Sequence, residues 1–254
     1  NDEITVAGDF TTAGGLLGTS AFFREDGTGY DEVVTNSSID LSGKTNFTIE
    51  FWINSAYDWD AGYLEVVLGQ WNDWDDMILI GLESEGNISM NNSKDGAADR
   101  YMAQVDIQTN HANKWVHVAY TFEGSSSIYK CYLNGKLEAE TTGSNNSFGN
   151  TLVDNAFTVA NLDGIGGVGR PLSPATIDEL RLWDSVRTPA QIRTDMFQGG
   201  TLDDATDLLL RWKFDEGTST SVADSSTNSY TGTLSSASWA GAGTFTQGTS
   251  TLVM

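Results

Sequence analysis

Residues 47–53, with the sequence FTIEFWI, decide the fold class of this chain. Large apolar side chains occupy every second position, and a threonine, a glutamate and a tryptophan fill the positions between them. Successive side chains of a β-strand point to opposite faces of its sheet, so this period of two predicts a strand with one apolar face. The same period recurs at 116–122 and at 208–214, which predicts several such strands in one domain.

Turn-forming residues separate the predicted strands. Asn134-Gly135 is the clearest signal, because both residues tolerate the positive φ of a tight hairpin turn. Many short strands joined by Gly, Asn, Asp and Ser turns are typical of a two-sheet sandwich. One helix is predicted after Thr188, which can cap it; Pro189 suits its first position and Gln191 completes a capping box.

The charge of the chain limits its partners. It has 35 acidic and 13 basic residues, a formal net charge of −22. Nucleic acids and anionic lipids bind basic patches, so we expect no nucleic-acid partner. No apolar run approaches the roughly 20 residues that cross a bilayer, so we expect no membrane insertion. Two interpretations of the acidic surface stay open: a solvated extracellular surface, and divalent cation binding by some carboxylates.

Three segments, in the same order, resemble laminin-G-like jelly rolls of the concanavalin A-like lectin/glucanase family. Residues 20–53 resemble the opening of these domains, with a short strand, an acidic Gly turn, a Tyr-Val strand and then FT-I-FW. Residues 114–137 resemble the W-H-V-A strand and Y-x-NG-K hairpin, and residues 175–192 the IDE-x-R-x-W strand and short helix. The resemblance implies an all-β jelly-roll sandwich of two antiparallel sheets, with one short helix after the IDELRLW strand.

One segment stands in an unusual place. Residues 208–239 resemble the W-x-F-x-EG…DSS…GT segment that precedes the first block in many family members. Either a second copy begins here, or the segment closes the first copy's sheet. We favour closure, since two unpaired amphipathic strands would leave exposed edges. The predicted domains are an N-terminal flanking strand segment at 1–19, a jelly roll at 20–240, in which 205–240 close the sheet, and a C-terminal flank at 241–254.

Catalytic residues are not expected. The chain has two histidines that could act in a nucleophilic triad. His117 lies inside a predicted strand, where a structural role is favoured, and His111 lies in a polar loop. Related jelly-roll glycosidases carry acidic residues at two-residue spacing on one strand, and no such run occurs here. Asp178 and Glu179 are adjacent, and so are predicted on opposite faces. Cys131 is the only cysteine; we interpret it as a buried small side chain rather than a reactive thiol.

The resemblance also implies a structural Ca²⁺. Jelly rolls of this superfamily often hold one ion between an acidic Gly turn near the start and the Asp of the IDE strand. Carried over to this sequence, the ligands are Asp26 and Asp178, whose carboxylates suit Ca²⁺. The alternative is that Asp26 only shapes a turn through its own side-chain hydrogen bond.

Two aromatic–acidic segments are candidate glycan sites. The first, at 57–63, contains Trp59 and Asp60, and the second, at 70–77, contains Trp71, Asp73 and Trp74. An exposed indole offers a flat apolar surface to sugar C–H groups, while carboxylates accept hydrogen bonds from hydroxyls. The alternative is that these tryptophans fold back and plug the ends of the sandwich.

The relative position of the two segments depends on strand pairing. If 47–53 and 64–69 pair as a hairpin, the segments lie at opposite ends of the sandwich and form two sites. A rival location is the concave sheet face, where Trp52, Trp115 and His117 lie on the parity opposite the core-facing residues.

The sequence therefore predicts a non-catalytic, calcium-stabilised recognition or adhesion module that binds glycans on a cell or an extracellular polymer. We expect it to be secreted or displayed on a cell or virion surface, and any signal peptide to have been removed or to lie upstream of Asn1. The competing hypothesis is a structural spacer or decoration module of a surface filament, repeat adhesin or virion. The flanks would then join neighbouring domains or copies of a larger assembly. A third hypothesis is a degenerate glycosidase.

Overall fold

The computed structural model describes residues 19–23, 31–55, 64–83, 86–152, 155–161, 169–172, 174–197, 202 and 205–241. Their helices are α1 (Gln108–His111) and α2 (Pro189–Asp195). Their strands, in chain order, are β1 (Ser20–Phe23), β2 (Glu32–Thr35), β3 (Asn46–Ser55), β4 (Leu64–Trp71), β5 (Met77–Leu82), β6 (Asn87–Lys94), β7 (Ala97–Asp106), β8 (Val116–Glu123), β9 (Ile128–Leu133), β10 (Lys136–Thr142), β11 (Phe157–Val159), β12 (Gly169–Pro171), β13 (Ala175–Trp183), β14 (Leu208–Trp212), β15 (Ser221–Val222), β16 (Gly232–Ser235) and β17 (Ser238–Ala240).

These strands form two sheets, which confirms the predicted all-β sandwich. The first sheet has the order β10-β9-β8-β3-β13-β1-β17, and β14 also pairs with β13. The second has the order β15-β16-β2-β11-β4-β5-β6-β7, and β12 joins β4. The pairs are antiparallel except for β12 with β4, which is parallel. Strands β3 and β4 belong to different sheets, so residues 47–53 and 64–69 do not pair as a hairpin. Such a hairpin therefore does not put the two aromatic segments at opposite ends of the sandwich.

The core lies between the two sheets and follows the alternation in the sequence. On β3, the four apolar side chains between Phe47 and Ile53 are at most 1% exposed. Cys131 is fully buried, which confirms its interpretation as a core residue, and burial raises the pKa of its thiol to about 12. Such a thiol stays protonated and unreactive near neutral pH.

Residues 208–240 contribute strands to both sheets. In the first sheet, β14 pairs with β13 and β17 pairs with β1; in the second, β16 pairs with β2. Trp212 and Phe214 are fully buried in the core, and Trp212 Nε1 donates to the backbone oxygen of Tyr230 at 2.9 Å. The exact domain limits stay a prediction.

Local signals in the sequence place two features correctly. Asn134 and Gly135 have φ of 49° and 73° and join β9 to β10 as the predicted tight turn. Thr188 and Gln191 form the predicted capping box at the start of α2, with Pro189 in its first turn. The one-turn helix α1 was not predicted.

Candidate functional site

The loop between β4 and β5 presents two tryptophans at one end of the second sheet. Trp71 ends β4, and its ring meets that of Trp74 edge-on, with centroids 4.6 Å apart and planes at 90°. Trp71 is half-buried against Val66 and Leu79 on the side of the sheet away from the core. Trp74 is 42% exposed. The pair therefore combines an anchored ring with one that solvent can reach.

Asp73 shapes this loop. Its Oδ1 accepts the backbone N–H groups of Asp75 at 2.9 Å and of Asp76 at 3.0 Å. Its Oδ2 accepts the side-chain amide of Asn72 at 3.3 Å. Side-chain acceptors of this kind fix a turn. Asp73 thus holds Trp74 at the tip of the loop, and its oxygens are engaged within the loop.

Asp76 anchors the loop to the rest of the domain. This side chain is buried, and its Oδ1 accepts the N–H of Asp95 at 2.8 Å, in the turn between β6 and β7. Its Oδ2 accepts the hydroxyl and the N–H of Thr151, at 2.6 and 3.2 Å. A Cβ at Gly149 would stand 2.1 Å from Asp76 Oδ1, so only glycine allows this close approach. The bonds fix the loop against two neighbouring segments.

Arg100 on β7 lies over the ring of Trp74, with its Cζ 5.7 Å from the ring centroid. A register shift between β6 and β7 makes this possible, because Arg100 and Tyr101 together face the single residue Asn91. Such a bulge re-aims side chains at the edge of a sheet. Asn91 Oδ1 accepts the N–H of Tyr101 at 3.1 Å and so holds the bulge.

A polar row runs along β6 on the same side of the second sheet. Ser89 and Asn91 alternate with the core residues of this strand, and Asn91 lies opposite Leu79. Both donate to Glu83 Oε1, at 3.0 and 3.4 Å. Burial raises the pKa of Glu83, while these bonds and the charge of Arg100 act in the other direction. We call the surface formed by Trp71, Trp74, Arg100, Asn91 and Glu83 the Trp74 face.

The structure describes only part of the predicted ligand set. Trp71, Asp73 and Trp74 are brought together in one loop, whereas Trp59 and Asp60 lie outside the described residues. The sequence analysis missed Arg100, Asn91 and Glu83. Their position depends on the strand order and on the bulge in β7, and no local motif signals either.

The alternative glycan site, on the face of the first sheet that carries Trp52 and His117, is covered by the protein itself. Trp52 lies opposite His117 in the pairing of β3 with β8, and the two side chains are 4% and 0% exposed. Trp52 Nε1 donates to the backbone oxygen of Met196, at the end of α2, at 2.9 Å. Helix α2 therefore covers this side of the first sheet, and a ligand cannot reach Trp52 or His117 there. Trp115, just before β8, is partly exposed.

Charged residues are buried on the same side of the first sheet. Glu179 Oε2 accepts from Arg181 at 2.8 Å and from Arg211 at 2.9 Å. A bulge between Asp178 and Arg181 shifts the register with β3, so Glu179 lies with these arginines. The prediction that Asp178 and Glu179 point to opposite faces is wrong, because Asp178 lies opposite Trp52 on this same side.

Two side chains beside this cluster, His117 and Glu50, have displaced pKa values. Burial, with a smaller contribution from the Arg181 cation, lowers the pKa of His117 to about 3, so its ring is neutral at physiological pH. Burial raises the pKa of Glu50, whose Oε1 accepts Trp183 Nε1 at 2.9 Å. We call the surface formed by Trp52, Glu50, His117, Arg181 and Trp183 the sealed face.

Only one of the two predicted metal ligands lies within the described residues. Asp178 is 1% exposed, and its Oδ1 accepts the N–H of Glu179 at 2.9 Å. Asp26 lies outside the described residues, so the Ca²⁺ site stays a prediction. The described part of the chain contains no group of three or more His, Cys, Asp or Glu residues that could hold a metal ion.

A small cavity opens beside α1. It is lined mainly by apolar side chains, with His111 and Gln108 at its edge, and its volume of about 10 Å³ holds roughly one water molecule. Such a cavity is too small for a sugar ring. No helix in the described ranges is long and apolar enough to cross a membrane.

The family follows from a match over most of the domain. Residues 26–193 match the model of the concanavalin A-like lectin/glucanases superfamily. The chain belongs to this superfamily. This confirms the resemblance found in the sequence. Since the superfamily includes both lectins and glucanases, membership in it does not choose between binding and hydrolysis. A search of curated proteins found no match.

Solved structures share this concanavalin A-like fold at low identity. One, from Bacteroides ovatus and provisionally classed as a carbohydrate binding protein, has a TM-score of 0.65 and 18% identity over 89% of this chain, which spans 60% of that protein. The receptor binding domain of botulinum neurotoxin D has a TM-score of 0.54 and 16% identity, over 74% of this chain and 46% of that one. A heptameric SAP-like pentraxin from Limulus polyphemus has a TM-score of 0.51 and 14% identity, over 70% and 81%. At such identities the likeness shows the fold alone.

Proposed function

We propose that this concanavalin A-like domain is a non-catalytic glycan-binding module and that its ligand binds at the Trp74 face. The observation that carries the proposal is an exposed indole on a loop fixed by Asp73 and Asp76, with Arg100 over its ring. A preformed aromatic surface costs little entropy when a ligand binds. The carbohydrate-binding classification of the Bacteroides ovatus protein supports the same proposal.

The residues of the Trp74 face have different roles in the proposed recognition of a glycan. Trp74, supported edge-on by Trp71, packs against the C–H groups of a sugar ring. Arg100 is exposed and supplies N–H donors to hydroxyl oxygens beside the indole. Asn91 and Glu83 are nearly buried and hold the strand edge in place, so we assign them a positioning role.

The absence of catalysis is part of the proposal. Two carboxylates near Trp74 accept hydrogen bonds within the fold, Asp73 from backbone N–H groups and Asp76 from Thr151 and Asp95, which leaves Asp75 as the exposed carboxylate of the loop. Glycoside hydrolysis needs two carboxyl groups free to reach the scissile bond. His117, neutral and fully buried, has no access to a substrate.

A glycan array of the whole chain, followed by binding isotherms for the glycans found, tests the proposal. We expect Trp74→Ala to weaken binding by about tenfold or more, the loss expected of a central aromatic contact. Phe197→Ala is the matched control, because Phe197 is also an exposed aromatic, at 58%, but contacts Trp52 on the other sheet. Equal affinities of Trp74→Ala and wild type would overturn the site. If no glycan on the array is bound, glycan binding would be overturned and the structural spacer hypothesis favoured.

We further propose an extracellular location and a structural Ca²⁺ bound by Asp26 and Asp178. Both rest on the family resemblance and on the acidic composition of the chain. Calorimetric titration with Ca²⁺ after chelation tests the metal. Heat of binding together with a higher melting temperature would support it, and Asp178→Asn should remove both. No heat and an unchanged melting temperature would reject it.

A further inference from the structure

The charges around the Trp74 face are mostly negative. Residues 71–83 and 89–101, which build the face and its surroundings, carry six carboxylates and two cations. Asp73 and Asp75 on the tryptophan loop and Asp95 in the adjacent turn are exposed. The cations are Lys94 and Arg100. A ligand that approaches Trp74 therefore meets a negative local potential, in addition to the net charge of −22 of the whole chain.

The charge of Arg100 is already opposed within the protein. The guanidinium lies over the electron-rich ring of Trp74, and three exposed aspartates, Asp73, Asp75 and Asp95, outnumber it in the surrounding turns. Lys94 donates to the side-chain oxygen of Asn146 at 2.9 Å. The two cations therefore do not offset the exposed carboxylates around the face, whereas the N–H groups of Arg100 can donate to neutral hydroxyl oxygens.

We infer that the Trp74 face selects uncharged glycans and discriminates against sugars that carry carboxylate or sulfate groups. The inference rests on the proposed function and names its ligand class. Like charges brought together at an interface reduce affinity and slow association. An acidic sugar unit at this face would meet the exposed aspartates of the loop and of the adjacent turn, which outnumber the cations beside them.

The test compares neutral polysaccharides with acidic ones on the same array, including galactan against polygalacturonate and lactose against sialyllactose. We expect binding to neutral members, with an affinity nearly independent of salt, and at least about tenfold weaker binding to acidic counterparts. Stronger binding to acidic members that falls with added salt would overturn the inference but leave glycan binding intact. No binding to either class would overturn the proposed function, and the inference with it.

A charge reversal sharpens the test. Asp75 is exposed, and the N–H of Gly96 donates to its backbone oxygen rather than to its carboxylate. Asp75→Lys changes the local charge by two units without touching the indoles, so we expect the affinity for the neutral glycan to change by less than about twofold and that for its acidic counterpart to rise several-fold at low salt. Asp75→Asn is the intermediate control and should give a smaller rise. An unchanged ratio of acidic to neutral affinity in both variants would overturn the electrostatic explanation.

Discussion

The two sheets carry similar residues on the sides that face away from the core. The sealed face of the first sheet contains tryptophans, Arg181, Glu50 and His117, and the Trp74 face of the second contains tryptophans, Arg100 and Glu83. On the sealed face, α2 lies over the side chains and Trp52 is 4% exposed. On the Trp74 face, the loop holds Trp74 outward, at 42% exposure. The chemistry available to a ligand therefore depends on what covers each sheet, not on residue type.

The sealed face has a structural role. Buried ion pairs contribute little net stability compared with apolar packing, but removal of one partner leaves an uncompensated charge. Glu179 with Arg181 and Arg211 links β13 to β14, and so joins the family segment to the C-terminal strands. Arg187 also stacks on Trp183, with its Cζ 4.0 Å from the ring centroid. These contacts fix α2 and β14 on the first sheet.

The largest expected difference between the two faces is in stability. Trp52→Ala removes a buried indole and its bond to Met196, so we expect a loss of about 3–5 kcal/mol in the free energy of unfolding. Trp74→Ala should cost less than about 1 kcal/mol, as is usual for exposed positions. Urea denaturation of both variants measures the contrast. Equal losses would show that Trp74 is also a packing residue.

The pH dependence of stability isolates His117 on the sealed face. Its folded pKa of about 3 lies below its ordinary value of 6.5. The contribution of the neutral His117 ring to the free energy of unfolding is therefore complete above pH 6.5 and is lost as the pH falls toward 3. Within this window the loss is about 1.4 kcal/mol per pH unit. The raised pKa of Glu50 has the opposite sign, since protonation favours its folded state at low pH.

Glu50 titrates in both wild type and His117→Gln, so the difference between their slopes reports mainly on His117, although Glu50 Oε2 lies 3.5 Å from His117 Nε2. Denaturation from pH 6 to pH 4 should show a slope that is shallower in His117→Gln by about 1.4 kcal/mol per pH unit. Parallel slopes would mean that His117 is protonated in the fold and paired with Glu50, whose Oε2 lies 3.5 Å from its Nε2.

The cover of the sealed face depends on the start of α2. Thr188→Ala removes the side chain that caps Gln191 N–H and should cost about 1 kcal/mol. Faster hydrogen exchange at Ile192 and Met196, without a change in glycan affinity, is the expected readout. A loss of glycan binding in this variant would place the ligand on the first sheet instead.

A small effect on stability, similar to that of Trp74→Ala, is expected at Arg100. Its contact with Trp74 is exposed, so Arg100→Gln should reduce the free energy of unfolding by at most about 1 kcal/mol. Chemical denaturation checks this value. A loss several times larger would show that Arg100 holds the edge of the sheet together, and its role in binding could not then be separated from folding.

The sequence predicted those features that depend on neighbouring residues. The alternation of 47–53, the turn at Asn134-Gly135 and the capping box of α2 follow from short-range rules, and all are present. The proximity of Trp71 and Trp74 could be predicted from the sequence because the two residues are only three positions apart. The position of Arg100 beside Trp74 could not be predicted, because it requires the pairing of β6 with β7 and a one-residue bulge. The closure of the sealed face was missed for a similar reason, since residue parity shows which side Trp52 faces but not that α2 covers it.

The measurement that separates the two faces most directly is an NMR titration with a bound glycan, observed at the indole N–H signals of the eight tryptophans. Single Trp→Phe variants assign the signals. We expect the Trp74 signal to shift most and that of Trp71 to follow, while the signals of Trp52 and Trp183 stay in place. Shifts at Trp52 and Trp183 with an unchanged Trp74 signal would contradict the assignment of binding to the Trp74 face.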